Sequence, residues 1–309
     1  RTTSSAASDV YKRQKKNNMK KIQMVDLQTQ YKFIKTNVDA GIEQVLNSAQ
    51  FINGPAVKSF QKNLESYLGV KNVIPCANGT DALQIAMMGL GLKPGDEVIT
   101  ADFTYASTVE FIALLGLTPV LVDVDPITFN INPESIEKAI TKKTKAIVPV
   151  HLFGQVAQME KIMQIAKKHG IFIIEDNAQA LGANFTYSNG NKVKAGCIGD
   201  IGTTSFFPSK NLGCFGDGGA IFTNDDELAH LIRGIANHGM YERYYHDVVG
   251  VNSRLDSIQA VVLDEKLKHL DLYNKRRRES ALKYSEYFEN NQKIITPIIL
   301  GDGDSHVFH

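Results

Sequence analysis

A lysine and an aspartate stand out because each lies where the chain leaves a buried segment. Asp176 follows the apolar residues 171–174, and Lys210 lies downstream in Ser-Phe-Phe-Pro-Ser-Lys-Asn-Leu-Gly, before a glycine run and a short apolar strand. A buried carboxylate needs a cation, and a poorly solvated amine loses its proton more readily than an exposed one. The pair suits a cofactor that condenses with a primary amine and presents a ring nitrogen to an acid, as pyridoxal phosphate (PLP) does.

Both residues have an ordinary alternative. Asp176 could form a structural ion pair with an arginine, and a lone lysine is usually a surface residue, as we expect for Lys142 and Lys168. Lys210 differs because aromatic residues and a proline precede it and glycines follow it, which is not the pattern of a solvated helix face. About 4 Å from a protonated ring nitrogen, at an effective dielectric of about 20, Asp176 would gain roughly 4 kcal/mol before desolvation.

An anion site is predicted where residues 78–83 follow one strand and open a helix. Gly79 permits close approach to the backbone, and the free N–H groups of a helix start attract a phosphate, which the hydroxyls of Thr80 and Ser205 can also bind. The alternative is a plain N-cap, in which Thr80 or Asp81 satisfies the first turn. The segment has neither GxxxxGK[ST] nor GxGxxG spacing, so nucleotide-binding motifs do not apply.

Two more side chains, Tyr105 and His151, need an interpretation. Tyr105 could stack on a flat heteroaromatic ring, with an ordinary core aromatic as the alternative. His151 follows the strand that ends at Val150, and we interpret it as structural.

The elements that must position these residues alternate along the chain. Two amphipathic helices come first, and short apolar strands then alternate with helical patterns. This pattern predicts an α/β fold, with a mainly parallel open sheet and helices on both faces. Ligands of such sheets bind at the carboxyl ends of the strands, where Asp176 and Ser205 would lie. After Asp256 we expect one long charged helix, with the basic run 275–278 on a solvated face. The predicted strands lie near residues 73–74, 97–100, 120–122, 146–150 and 171–174.

Length and composition fit one large domain and part of a second. The chain has 309 residues and a net charge of +1, so no broad basic surface is predicted for nucleic acid or membrane. Its three cysteines are too scattered for a disulfide framework or a zinc site, which favours reduced thiols in a cytoplasmic protein, and we expect no metal. We expect a non-native leader at 1–18, an N-terminal arm and helix at 19–50, a large PLP-binding domain at 51–262, and the start of a truncated small C-terminal domain at 263–309.

Six sequence blocks occur in order along the chain, at residues 78–83, 94–99, 175–179, 205–210, 216–220 and 250–255. Together they resemble the nucleotide-sugar aminotransferases of the DegT/DnrJ/EryC1/StrS family. These are PLP-dependent enzymes of transferase fold type I. The resemblance implies that Lys210 is the Schiff-base lysine and that Asp176 is the partner of the ring nitrogen. Some family members are dehydratases with histidine at the lysine position, so a lysine there favours amino transfer.

The resemblance also implies roles for the other predicted site residues. It places Tyr105 on one face of the cofactor ring and Gln179 near the other side. It places Gly79, Thr80 and Ser205 around the phosphate.

Two residues of the last block imply a shared site. In this family Asn252 would reach the phosphate of the neighbouring subunit's cofactor, with Arg254 close by as a substrate-binding residue, so the resemblance implies a homodimer.

Within the family, the chain looks most similar to the members that act on 3-keto sugars. This implies amino transfer from an amino acid, glutamate first, to C3 of a nucleotide-linked sugar, for polysaccharide or glycoconjugate biosynthesis. The alternatives are a 4-keto sugar aminotransferase and a non-catalytic regulator that binds PLP or a sugar nucleotide. A nicotinamide dehydrogenase is disfavoured, because no phosphate-binding glycine fingerprint follows the first strand.

Overall fold

The computed structural model describes residues 22–300 and 306–309. The predicted leader at 1–18 lies outside these described residues. The chain divides into two compact units, Arg1–Phe33 and Ile34–His309, and the sheet and the site described below belong to the second.

A seven-stranded sheet forms the centre of the second unit. Its strands are β1 (Asn72–Cys76), β2 (Glu97–Ala101), β3 (Thr118–Val122), β4 (Thr144–Val148), β5 (Phe172–Asp176), β8 (Ile201–Ser205) and β9 (Gly219–Thr223). Their spatial order is β1-β9-β8-β5-β4-β2-β3. Only β9 runs against the other strands of this sheet, since it pairs antiparallel with both β1 and β8. The predicted α/β fold with a mainly parallel sheet is confirmed. Two short hairpins were not predicted: β6 (Asn184–Thr186) with β7 (Lys192–Lys194), and β10 (Met240–Glu242) with β11 (Tyr245–His246).

Helices cover both faces of the sheet because its strands are apolar on both sides. Neighbouring residues such as Ile173 and Ile174 point to opposite faces and pack in different core clusters. The helices of the described residues are α1 (Leu27–Ser48), α2 (Pro55–Leu68), α3 (Gly79–Gly89), α4 (Ser107–Leu114), α5 (Pro133–Ala139), α6 (Met159–His169), α7 (Asp226–Ile235), α8 (Ser257–Leu267) and α9 (Leu270–Phe288). In this part of the chain, no helix combines the length and the apolar character needed to cross a bilayer.

The prediction of one long helix after Asp256 was wrong, because α8 ends at Leu267 and α9 begins at Leu270. His269 leaves helical geometry, with φ −113° and ψ 3°. The break accompanies burial of Leu267 and Leu270 in a core cluster that also contains Phe60 of α2. The start of the predicted C-terminal domain therefore packs on the large sheet domain, and the domain boundary at 262/263 stays a prediction.

Candidate active site

A cavity of about 400 Å³ opens at the carboxyl ends of β5 and β8. Asp176 is the last residue of β5 and Ser205 is the last residue of β8, so the two strands deliver both side chains to one edge of the sheet. The structure brings most of the predicted site residues together around this cavity, namely Gly79, Thr80, Tyr105, Asp176, Gln179, Ser205 and Lys210.

Two of the predicted residues lie elsewhere. Asn252 and Arg254 line a neighbouring cavity, which shares Asn78 and Asp217 with the first one. Arg254 also donates a long hydrogen bond to Asn237, at 3.5 Å. The structure therefore separates this pair from the Lys210 side chain while keeping it beside the start of α3.

Asp176 is a buried carboxylate with two hydrogen bonds. Its side chain accepts from the Ala178 amide at 3.1 Å and from the Thr108 hydroxyl at 3.2 Å. Burial raises the pKa of Asp176, while the Ala178 amide, the positive charge of Lys210 and the Thr108 hydroxyl oppose that rise. A cation in the cavity would further stabilise the ionised form. The sequence analysis gave Thr108 no role, although it lies in the same segment as Tyr105.

Lys210 lies on the loop after β8, beside the same cavity. Its backbone amide donates to the Phe207 carbonyl at 2.8 Å, which closes a turn before the lysine. Burial lowers the pKa of the Lys210 amine, and the positive charge of Arg277 lowers it further, while Asp176 acts in the opposite direction. More of the amine is therefore unprotonated near neutral pH than on an exposed lysine.

The start of α3 forms the opposite wall of the cavity. The N-cap is Asn78, whose side chain accepts from the Asp81 amide at 2.7 Å, so the alternative with Thr80 or Asp81 as the cap was wrong. The first amides of a helix have no intrahelical acceptor and favour an anion. A Cβ at Gly79 would lie 2.5 Å from Cβ and 2.9 Å from Cα of Ser205. Glycine is therefore required for the strand end and the helix start to meet.

The remaining walls hold Tyr105 and Gln179. Tyr105 is 73% exposed, so its ring is not a core aromatic. The side-chain oxygen of Gln179 accepts from the Phe153 amide at 2.5 Å. Phe153 has a positive φ of 55°, unusual for a bulky residue, and Gln179 holds that backbone in place. Their predicted roles toward a cofactor stay predictions.

Glu175 and His151 support the cavity from the other face of β5. The buried Glu175 carboxylate accepts the amides of Gly196, Ile198 and Gly199, at 3.0, 2.6 and 2.7 Å. His151 Nδ1 accepts the Ala157 amide, so its Nε2 carries the proton and donates to Glu175 at 2.9 Å. Both ring nitrogens of His151 are thus occupied within the protein, which agrees with its structural interpretation.

The groups around the cavity fit PLP at three points. The α3 start and Ser205 could offer donors to a phosphate, the buried carboxylate of Asp176 suits a protonated ring nitrogen, and the amine of Lys210 suits an aldehyde. Gly79 packs so closely against Ser205 that no larger side chain fits between them, which brings the helix start and the Ser205 hydroxyl together.

Known proteins share this sequence and this fold. The sequence profile of the DegT/DnrJ/EryC1/StrS aminotransferase family matches residues 32–309. The UDP-2-acetamido-2-deoxy-3-oxo-D-glucuronate aminotransferase of Pseudomonas aeruginosa is 52% identical, over 85% of this chain and 72% of that protein. A pleiotropic regulatory protein of Geobacillus stearothermophilus is 47% identical, over 93% of this chain and 76% of that protein. The crystal structure of NtdA from Bacillus subtilis with bound cofactor PMP superposes with a TM-score of 0.85 and 33% identity, over 94% of this chain and 66% of that one.

Proposed function

This chain belongs to the DegT/DnrJ/EryC1/StrS aminotransferase family, and from that premise we propose that it aminates the C3 keto group of a nucleotide-linked sugar. The amino donor in this proposal is an amino acid, with glutamate first, and the product serves polysaccharide or glycoconjugate biosynthesis. The enzyme is a PLP-dependent aminotransferase of fold type I. The observation that carries the proposal is the placement of Lys210 and Asp176 on one cavity, with the start of α3 opposite them.

Different residues around the cavity would bind different parts of the cofactor. When bound, PLP supplies an aldehyde that condenses with amines and a protonated ring that withdraws electrons. The amides at the start of α3, with Thr80 and Ser205, would hold the phosphate, and Asp176 would hold the proton on the ring nitrogen. Tyr105 would cover one ring face and Gln179 would lie near the other side.

Lys210 has two tasks in this proposal. Its neutral amine would hold the cofactor by condensing with the aldehyde. Once free, the Nζ atom of Lys210 would be the base that takes the proton from the donor's α carbon and the acid that later gives it back. Both tasks need the unprotonated amine, which burial in the loop favours.

We also propose a homodimer with shared active sites. Asn252 and Arg254 border a cavity separate from that of Lys210, which suits residues that act on the cofactor and substrate of a neighbouring subunit. Ile52 lines the same cavity with 47% of its surface exposed, and Phe51 beside it is 44% exposed. Exposed apolar residues next to a polar cavity support a subunit contact there.

A cytoplasmic location is part of the proposal. Cys76, Cys197 and Cys214 are all free thiols in the structure. Unpaired thiols are typical of proteins kept in a reducing compartment.

The test compares Lys210→Ala with Lys142→Ala, an exposed lysine as the matched control. With PLP, glutamate and a UDP-linked 3-keto sugar, the wild type and K142A should turn over and K210A should not. Borohydride reduction of the wild type should attach the cofactor to the peptide that contains Lys210. Full activity of K210A would refute the assignment.

The same assay separates the alternatives. Faster turnover of the 4-keto than of the 3-keto sugar would favour a 4-keto aminotransferase. A regulator remains a candidate because one relative bears a regulatory name. Cofactor binding without turnover of any keto sugar would favour that alternative.

A further inference from the structure

Helix α9 contacts the lysine loop on both sides of Lys210. The guanidinium of Arg277 donates to the Ser209 carbonyl at 2.8 Å. The side chain of Asn274 accepts from the Asn211 amide group at 2.7 Å. Residues three apart lie on one face of a helix, so a single helical turn holds the residue before Lys210 and the residue after it.

This turn of α9 is itself anchored. Asn211 and Asn274 are only 4% and 7% exposed, and the Asn274 amide group also donates to the Leu181 carbonyl at 3.0 Å. Leu270, at the start of the helix, is fully buried in the core cluster beneath. The lysine loop is therefore held by α9, which is itself fixed on the core. The expectation that the basic run 275–278 lies on a solvated face was wrong for Arg277.

The charge of Arg277 has no carboxylate to balance it among the residues that the structure describes. Burial lowers the pKa of Arg277, and no acidic side chain opposes that effect. Arg277 does not line the cavity of Lys210, so it is not placed to contact a ligand there. Its charge instead acts on its titratable neighbours, since it contributes to the low pKa of both Lys210 and His309.

The groups that face Lys210 come from several elements. Asp176 at the end of β5 stabilises the ammonium form, and Arg277 on α9 opposes it. Burial holds the pKa of His309 at about 4, so that imidazole is neutral near pH 7. Asp217 and Tyr105 complete the ionisable lining of the cavity. Asp176 and Arg277 therefore act in opposite directions on the pKa of the same amine.

We propose that Arg277 is a positioning residue for Lys210: its guanidinium fixes the lysine loop through the Ser209 carbonyl and places a positive charge on the helix that holds this loop. The proposal rests on the proposed function only in taking Lys210 as the reactive amine. The protonation of the Lys210 amine is a property of the protein alone and can be measured without substrate.

The test measures the protonation of Lys210 in cofactor-free protein. Trace acetic anhydride labels neutral amines, and mass spectrometry follows the peptide that contains Lys210 across a pH series. Lys266, which is 1% exposed, reports whether each variant is folded, because unfolding would expose it to the reagent. The variants are Arg277→Gln, which keeps a donor for the Ser209 carbonyl but loses the charge, and Arg277→Lys, which keeps the charge. Arg276→Gln, at the exposed neighbouring position, is the matched control.

Removal of the charge should raise the pKa of Lys210. In R277Q the labelling curve should move to higher pH, with labelling near pH 7.5 falling on the order of threefold to tenfold. R277K and R276Q should label like the wild type. In cofactor-loaded R277Q, the acid limb of the kcat profile should move to higher pH as well.

Other outcomes would overturn the proposal. If the labelling curve of R277Q coincides with that of the wild type, the charge of Arg277 has no role. If R277K shifts as far as R277Q, the loss of the guanidinium geometry explains the shift and the role of the charge is refuted. If R277Q does not fold, Asn274→Ala replaces it. This variant loses the hydrogen bond between α9 and Asn211 but keeps the charge of Arg277. Any shift of its labelling curve therefore contradicts the proposal. Failure of the aminotransferase assay would leave these labelling results intact, so the two hypotheses fail separately.

Discussion

The buried Glu175 carboxylate gives the sharpest prediction for stability. Its two oxygens accept four hydrogen bonds, from three backbone amides of the loop before β8 and from His151. That loop leads into the strand that ends at Ser205, so Glu175 anchors the approach to the active-site cavity. We expect Glu175→Gln, which is nearly isosteric, to destabilise the protein strongly.

The magnitude follows from the geometry of the acceptors. One carboxylate oxygen accepts from Ile198 and Gly199, and the other accepts from Gly196 and His151. Glutamine has a single oxygen, so in either orientation its NH₂ group faces two N–H donors that lose their acceptor. Each buried donor left unsatisfied costs about 1–3 kcal/mol, so E175Q should lose roughly 2–6 kcal/mol of unfolding free energy.

Equilibrium unfolding in urea, monitored by far-UV circular dichroism, measures this loss. Glu160→Gln is the matched control, because Glu160 also accepts two hydrogen bonds, from Ser188 at the surface. The control should change the unfolding free energy by no more than about 0.5 kcal/mol. A loss below about 1 kcal/mol in E175Q would refute the reasoning, since it would mean that the two donors facing the NH₂ group find other acceptors.

Two further predictions concern the cofactor and the dimer. Gly79→Ala should weaken PLP binding and destabilise the fold by about 1–3 kcal/mol, because its Cβ meets the backbone of Ser205 at 2.9 Å. Gly216→Ala, whose Cβ has the end of the Gln259 side chain as its nearest neighbour at 3.2 Å, should bind PLP normally when both variants are titrated with PLP and followed by fluorescence. Mixed Lys210→Ala and Asn252→Ala subunits should recover activity that neither variant has alone, because each hybrid dimer keeps one intact site. Absence of recovery, with hybrid dimers verified by native mass spectrometry, would argue against shared sites.

The reactive pair and the main strands were predictable from the chain because their signals are local. Alternation of short apolar runs with helical patterns indicates parallel strands, and a carboxylate that ends such a run lies at a strand end whatever the details of packing. Asp176 is an example, since it ends β5 at the cavity. The direction of β9 was not predictable in this way, because a five-residue apolar strand has the same pattern in either direction.

Residues whose role depends on a distant partner escaped the sequence analysis. Glu175 receives its hydrogen bonds from a loop about twenty residues downstream, and no spacing rule connects the two. Arg277 lies in a run of four basic residues, which usually indicates a solvated helix face. Only the packing of α9 against the lysine loop distinguishes this arginine from its neighbours.

Both reactive side chains are held by the residues next to them in the chain. Asp176 faces the cavity while the adjacent Glu175 faces the other side of β5 and is fixed by four hydrogen bonds. Lys210 faces the same cavity while Ser209 and Asn211, on either side of it, are fixed by α9. These hydrogen bonds restrict the backbone beside each reactive group without using the Asp176 carboxylate or the Lys210 amine. Substitution of Glu175 should therefore change the position of Asp176, and substitution of Arg277 the protonation of Lys210, even though neither residue lines the cavity.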